Sequence, residues 1–329
     1  MTAPRVSVVM SVYNGERHLG SAIDSILQQS FSDFEFIIVN DGSTDGSTEI
    51  LREFESRDSR VRVIDQTNCG LTIALQTGCA AAHGEFIARQ DADDWSDPTR
   101  LEKLINLFDL QTDAAMVGSW AAYIDDDGEL VELIERCANS REATHRLLYE
   151  KYGPPAHGTV MFRRSVYEQV GGYRTCFYFG QDSDLWLRLG IIGQIGYVQE
   201  SLYRARISAN GISGKHAHWQ SQFGKLGQQC HSARLQGQSE QPFIARAEQL
   251  RQAFLSQRSN RSSTTRQEAA AHYRIGTSLS RRGNPRARKH FWSAICLNPL
   301  HVRSWCRWGA TFLLRAGSSQ KGSGRQVTS

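Results

Sequence analysis

The chain has 329 residues, 40% of them hydrophobic and 9% aromatic, enough to enclose a core without staples. No apolar run reaches the roughly 18 to 20 residues of a membrane span, Met1-Thr-Ala-Pro-Arg5 lacks a signal-peptide pattern, and the seven cysteines form no Cys-x-x-Cys pair; a cytoplasmic location with reduced thiols is predicted, and neither zinc nor a disulfide framework is indicated. The net charge of +4 conceals a division, because residues 1–200 hold 17 Lys/Arg against 31 Asp/Glu and residues 201–329 hold 21 against 3, which predicts two modules with the basic one drawn to an anionic surface.

In chain order, Arg5-Val-Ser-Val-Val-Met10 reads as a strand, Ser11 to Gly15 as a loop, and Arg17 to Gln28 as a helix with Leu19, Ile23, Ile26 and Leu27 on one face. A second strand, Glu35 to Val39, runs into the polar turn Asn40 to Gly46 and a helix near Thr48 to Ser56. Val61 to Ile64, an Ala-rich helix from Gly70 through His83 and a strand at Phe86 continue the alternation of a parallel α/β sheet. Right-handed crossovers then set the strand ends along one edge, where ligands of open α/β sheets sit. At that edge stand Asp91, Asp93 and Asp94, followed by Trp95 and Pro98. Carboxylates two apart can turn to one hard cation that shares its remaining positions with phosphate. An Asp-x-Asp by itself is more often a polar loop capping the next helix. Gly-x-Gly-x-x-Gly after the first strand and Gly-Lys-Ser/Thr are both missing, so neither a dinucleotide fold nor a P-loop is supported.

Further on, Asp125-Asp-Asp-Gly128 lies between alternating runs and reads as a hairpin turn. Gln181-Asp-Ser-Asp184 opens an amphipathic helix carrying Leu185, Trp186, Leu189 and Ile192, which makes capping an alternative role for both carboxylates. Tyr203-Arg-Ala-Arg206 follows a short strand near Gly196 to Val198. Residues 213–265 are polar with weak helical patterning around Phe243 to Phe254, and from Ala270 the spacing of Tyr273, Gly276, Pro285, Ala287, Phe291 and Ala294 looks like a tetratricopeptide-type helix pair. His301 to Leu314 starts another helix. A competing reading makes Trp305, Trp308, Phe312 and Leu313 with Arg303, Arg307 and Arg315 an interfacial amphipathic helix.

Taken together and in order, Val9-Met-Ser-Val-Tyr-Asn-Gly15, Ile37 to Asp45, Asn68-Cys-Gly-Leu71, Phe86 to Asp94, Gly171-Gly-Tyr173 and Gln181 to Leu189 resemble the family 2 glycosyltransferases of the GT-A fold, over roughly residues 5 to 210. The resemblance implies an α/β catalytic domain over 1–212, of GT-A type with a mostly parallel sheet flanked by helices. A helical or irregular connector (213–265), a smaller all-α tetratricopeptide-like region (266–316) and a disordered tail (317–329) are expected to follow.

The implied activity is inverting transfer of a sugar from a nucleoside diphosphate sugar to the hydroxyl of a saccharide or lipid-linked saccharide acceptor, with Mg²⁺ or Mn²⁺. Asp41 matches the carboxylate that reads the base and Tyr13 the ring that packs on it; Asp93 matches the direct metal ligand, with Asp91 nearer the ribose. Asp182 occupies the place of the catalytic base, and Arg204 and Arg206 those of phosphate partners. His157 stands at a position often close to the acceptor. Gln181 replaces a usual Glu, and Arg206 stands where many relatives carry His. Helix capping for Asp41, core packing for Tyr13 and His157, and solvent-facing arginines are the alternatives that the residues alone leave open.

A nucleotidyltransferase is disfavoured by the missing Gly-rich, Lys-bearing N-terminal loop. A catalytically inactive binding protein recruiting partners through its C-terminal helices is disfavoured by the intact carboxylates. No aromatic-interleaved reading motif supports nucleic acid as a partner. The basic second module predicts a peripheral position at the inner face of an anionic membrane.

Overall fold

The computed structural model describes residues 3–208, 216–258 and 265–316. Four β-branched or aromatic runs form the parallel half of the sheet: β1 (Val6–Val12), β2 (Phe34–Asn40), β3 (Val61–Asp65) and β4 (Phe86–Asp91). The helices α1 (Glu16–Leu27), α2 (Ser47–Arg57) and α3 (Leu71–Ala80) make the crossovers. After β4 come β5 (Trp95–Ser96), α4 (Arg100–Leu110), β6 (Ala114–Ile124), β7 (Leu130–Ile134), α5 (Ser140–Glu150) and a single 3-10 turn, His157–Thr159. Then follow β8 (Met161–Arg163), α6 (Arg164–Gln169), α7 (Gln181–Ile192) and β9 (Gln194–Arg206). The strand order is β3-β2-β1-β4-β8-β6-β9-β5, with β7 paired to β6. β4 meets β8, β6 meets β8 and β5 meets β9 in antiparallel register. This is the mixed sheet flanked by helices that the sequence predicts.

Strand alternation explains why both faces are apolar. Val6, Val8, Met10 and Val12 of β1 point into one core with Leu19, Ile23, Phe36 and Phe108, while Val9 points into the other with Ile37, Leu75 and Leu185. Each such fully buried side chain contributes about 1.5–3 kcal/mol.

Two elements differ from expectation. The strand expected near Gly196 to Val198 is the 13-residue β9 and includes Tyr203–Arg206. The extension has a partner, since Trp95 pairs with Arg204 and Ser96 with Tyr203. Residues 213–265, expected as a partly irregular connector, contain two long helices, α8 (Ala217–Leu235) and α9 (Gln241–Arg258). Trp219, Phe223, Cys230, Ala247 and Phe254 on them share a core with Cys176, Phe177 and Phe179 just before α7.

Contacts divide the chain into two units. The first comprises 1–123, 133–206 and 218–259; the second comprises 124–132, 207–217 and 260–329. In the second, α10 (Thr265–Arg281), α11 (Ala287–Leu297) and α12 (Val302–Ala316) bury Ile275, Leu279, Ala287 and Phe291 with Val131. The predicted turn forms: Gly128 N–H donates to Asp125 C=O at 3.0 Å, and Gly128 takes the left-handed φ of +83° that the turn requires. Lys289 Nζ lies 2.6 Å from Asp127, and His290 Nε2 lies 3.6 Å from Asp125. Trp292 and Trp305 are exposed, and their rings cluster with Trp308 at centroid distances of 5.3–6.3 Å. The tail expected over 317–329, and the side chains of Phe312, Leu313 and Arg315, lie outside the described residues. Among the described residues no helix is long and apolar enough to cross a membrane.

Candidate active site

Three adjacent parallel strands end at the same edge and carry the candidates there. Ser11 on β1 is in register with Asp91, the last residue of β4, and Val12 with Asn40, the last of β2. Asp41 N–H then donates to Val12 C=O at 2.9 Å, so Tyr13 and Asp41 leave the sheet side by side. Tyr13 is 47% exposed, a ring open to solvent and not the core aromatic that the sequence also allowed.

Asp41 is buried and does not cap the following helix. Its Oδ1 accepts from Gln66 Nε2 at 2.7 Å and Cys69 N–H at 2.9 Å, and its Oδ2 from Gly70 N–H at 2.8 Å. With about two lone-pair positions per oxygen, Oδ2 retains one acceptor position. Gly70 sits at φ +91°, and a Cβ there would lie 2.8 Å from the Tyr178 ring, so glycine is required where the chain turns its N–H to Asp41.

The acidic loop is held from beneath by buried cations and a phenol. Arg89 is fully buried; its Nη2 donates to Asp91 Oδ1 at 2.9 Å, its Nη1 to Val9 C=O, and its Nε to His157 Nε2 at 3.3 Å. His157 Nε2 is also 2.7 Å from Tyr173 Oη. Burial and the Arg89 charge drive the His157 pKa well below its usual value, which keeps the ring neutral and able to accept. Arg100, also fully buried, donates to the carbonyls of Arg89 and Gly158 at 2.6 Å each and lies under the Tyr203 ring. Burial lowers its pKa to about 10. Tyr203 Oη in turn accepts from Asp91 N–H at 3.1 Å.

Asp93 is exposed at the loop tip, whereas Asp94 is turned inward and accepts from Arg206 N–H at 2.7 Å. Burial, then the charges of Asp93 and Asp91, raise the Asp94 pKa well above the ordinary carboxylate value. Arg206 Nε reaches Asp93 C=O at 3.3 Å. Arg204 is exposed, with its guanidinium stacked 4.5 Å from the centroid of Trp95.

Asp182 begins α7 behind Gly180, which takes the left-handed conformation. Its Oδ1 accepts from Ser183 N–H at 2.8 Å. Burial raises its pKa, and the charge of Asp91 raises it further. The neighbouring Asp184 is buried in an ion pair with Arg188 at 2.7 Å and is structural. Asp91, Asp93, Asp94, Arg206 and Asp182 therefore share one electrostatic neighbourhood, with Tyr13 and Asp41 along the same sheet edge. The sequence assigns no role to Arg89 or Arg100, and for Tyr203 it shows only the segment Tyr203–Arg206 and not the support of the acidic loop. The available signal was a charged residue, Arg89, directly after the apolar Phe86-Ile-Ala of a buried strand.

The arrangement fits a divalent cation held jointly with a ligand. Among the described residues no three His, Cys, Asp or Glu side chains converge as a closed metal cage. One or two carboxylates with the remaining positions left to phosphate and water is how Mg²⁺ is commonly held.

The sequence profile described as Glycosyl transferase family 2 matches residues 7–171. EpsE of Bacillus subtilis (strain 168), a glycosyltransferase by provisional assignment, is 36% identical over 210 residues, 62% of this chain and 74% of EpsE. The O-antigen biosynthesis glycosyltransferase WbnJ of Escherichia coli is 34% identical over 186 residues, 56% of this chain and 71% of WbnJ. Among solved structures, S. aureus TarS 1-349 in complex with UDP aligns at a TM-score of 0.56 and 16% identity, covering 98% of this chain and 94% of that one. The mannosyltransferase PcManGT from Pyrobaculum calidifontis, in complex with GDP-Man and Mn²⁺, aligns at 0.53 and 18% identity, covering 98% and 89%. At these identities the structural matches show a shared fold.

Proposed function

Because the chain belongs to glycosyltransferase family 2, we propose that it is an inverting, metal-dependent enzyme moving a sugar from a nucleoside diphosphate donor to an acceptor hydroxyl in surface polysaccharide or lipid-linked saccharide synthesis. What supports this reading is the shared strand edge at which Asp41 and Asp91 stand, together with Asp182, whose pKa is raised by burial and further by the charge of Asp91. A raised pKa brings Asp182 closer to the operating pH and makes it a stronger base toward a hydroxyl. Asp93 and Asp91 would hold Mg²⁺ or Mn²⁺, which supplies charge neutralisation for the leaving diphosphate. Asp41 offers its remaining acceptor position to a base N–H, beside the open Tyr13 ring. Arg206 and Arg204, at the end of β9, border the acidic loop where diphosphate would lie. The solved relatives carry UDP, UDP-GlcNAc or GDP-Man, and a nucleoside diphosphate is what these ligands share.

Thermal-shift screening with UDP, GDP and dTDP sugars in Mn²⁺ identifies the donor, since a ligand that binds only the folded state raises the melting temperature. Asp93→Ala is expected to remove the metal-dependent shift, whereas Asp182→Asn keeps it and abolishes transfer. An Asp182→Asn enzyme with full transfer activity refutes the assignment. The basic second unit, with exposed Trp292 and Trp305 beside Trp308, supports binding at the cytoplasmic face of an anionic membrane, where each basic residue near the surface contributes about 1 kcal/mol. Flotation with anionic liposomes tests this; protein left in the soluble fraction at low salt refutes it.

A further inference from the structure

Close to Asp182 along α7 lies a cavity of about 230 Å³ within the first unit, lined by Arg136, Leu147, Lys151, Tyr152, Ser183 and Trp186 among others. Trp186 stands four residues after Asp182 on α7, so the two share a helix face, and Ser183 follows Asp182 directly. Its other wall comes from the end of α5 and the chain that follows it. The two charged side chains lining it, Arg136 and Lys151, are both cationic. Lys151 is exposed at its rim, and the Arg136 guanidinium lies 4.1 Å from the centroid of the half-exposed Tyr152 ring. Trp186 is 95% buried and its indole N–H finds no hydrogen-bond partner among the described residues. A buried donor left unmade is costly and marks a place where a ligand acceptor atom would be stabilising. The cavity is also wired to the acidic loop. The Trp186 ring packs edge-on against His157 at 5.9 Å, and His157 accepts from Arg89, which grips Asp91.

We infer that this cavity is the acceptor subsite and that it takes a saccharide carrying an anionic group, a phosphate or a carboxylate. The inference rests on the transferase reading above and adds the charge class of the acceptor. Arg136 and Lys151 would pair with the anion, Tyr152 and Trp186 would pack on the sugar, and the hydroxyl to be glycosylated would face Asp182. A volume of this order suits one sugar unit and not an extended oligosaccharide, so the remainder of a longer acceptor would lie outside.

The test is direct binding to the full chain, without donor or metal, at fixed ionic strength. Saturation-transfer NMR compares glucuronic acid, glucose 6-phosphate and glucose as probes, and the better of the two anionic probes tells carboxylate from phosphate. At least one anionic sugar is expected to bind about tenfold or more tightly than glucose. Lys151→Glu and, separately, Arg136→Gln should each erase that preference while the melting temperature of Lys151→Glu stays at the wild-type value; one lost charge-assisted contact corresponds to roughly a tenfold change. Equal binding of all three sugars, failure of both anionic sugars to bind, or an unchanged preference in Lys151→Glu overturns the inference. Because no nucleotide enters this measurement, such a failure is separate from failure of the donor screen and of the Asp182→Asn assay, which bear on the transferase reading.

Discussion

Replacing Gly158 by alanine tests how tightly the acidic loop is supported. A Cβ at this position would lie 1.8 Å from Tyr203 Oη and 2.1 Å from its Cζ, about 1.6 Å short of the 3.4 Å at which ordinary contact begins. Tyr203 is fully buried against Arg100, and the Gly158 carbonyl is itself held by Arg100, so neither side has room to give. Overpacking of this kind costs roughly 1–3 kcal/mol. Moving the phenol also forfeits the hydrogen bond it accepts from Asp91 N–H, at about 1 kcal/mol. The expected loss is therefore about 2–4 kcal/mol, read as a lower urea midpoint with an unchanged slope and a melting temperature lower by roughly 10 °C. Gly158→Ala combined with Tyr203→Ala should be less destabilised than the sum of the two single variants, because the clash is then gone. A Gly158→Ala protein within about 0.5 kcal/mol of wild type, with an unaltered donor-induced shift, refutes the packing argument.

Asp41→Asn places an amide among three donors, so it should destabilise the fold by about 2–3 kcal/mol in urea titration besides weakening donor binding; a purely functional loss at full stability would contradict the three hydrogen bonds. Asp182 must be ionised to act as base, and burial raises its pKa above the ordinary 3.8, so activity should fall on acidification at a pH above the usual carboxylate range. A pH–rate profile flat down to pH 4 would contradict this. In the second unit His272 and His290 lie 3.1 Å apart through their Nδ1 atoms. Burial lowers both pKa values below 6.5, so the neutral forms are the folded ones. Their contribution is then intact above about pH 6.5 and is lost as the pH falls through that value toward the folded pKa. Hydrogen-exchange protection factors over 265–316, corrected for the intrinsic rate at each pH, should fall below pH 6.5, and His290→Asn should flatten the dependence.

Much of the site was legible because strand ends were. The apolar runs of β1, β2 and β4 announce a parallel sheet, and the carboxylates that follow the last of them, Asp91 and Asp93, are expected at its ligand-bearing edge, whereas Asp41 is singled out by the family resemblance. What the sequence concealed is contact at long separation. Arg89 meets His157 from 68 positions away, and no local pattern encodes that pairing. α8 and α9 were underread because Gln, Ser and His dilute the apolar spacing along them, while their burial comes from Phe177 and Phe179, contributed by a loop. The length of β9 was missed for a similar reason, since its last residues are strand only because Trp95 and Ser96 offer them an edge.

That edge also fixes a distance along the chain. Asp91 closes β4 and Trp95 opens β5, so the loop carrying Asp93 spans three residues between two points anchored in the same sheet, one in register with Ser11 and the other with Arg204. An inserted residue would either displace Asp93 from Asp91 or slip the β5–β9 pairing by one and turn Trp95 to the opposite face. The spacing of the acidic pair is thus enforced by sheet register whether or not a cation is bound. Side-chain substitution can vary this corner of the protein while the acidic pair keeps its spacing, but a change of loop length cannot.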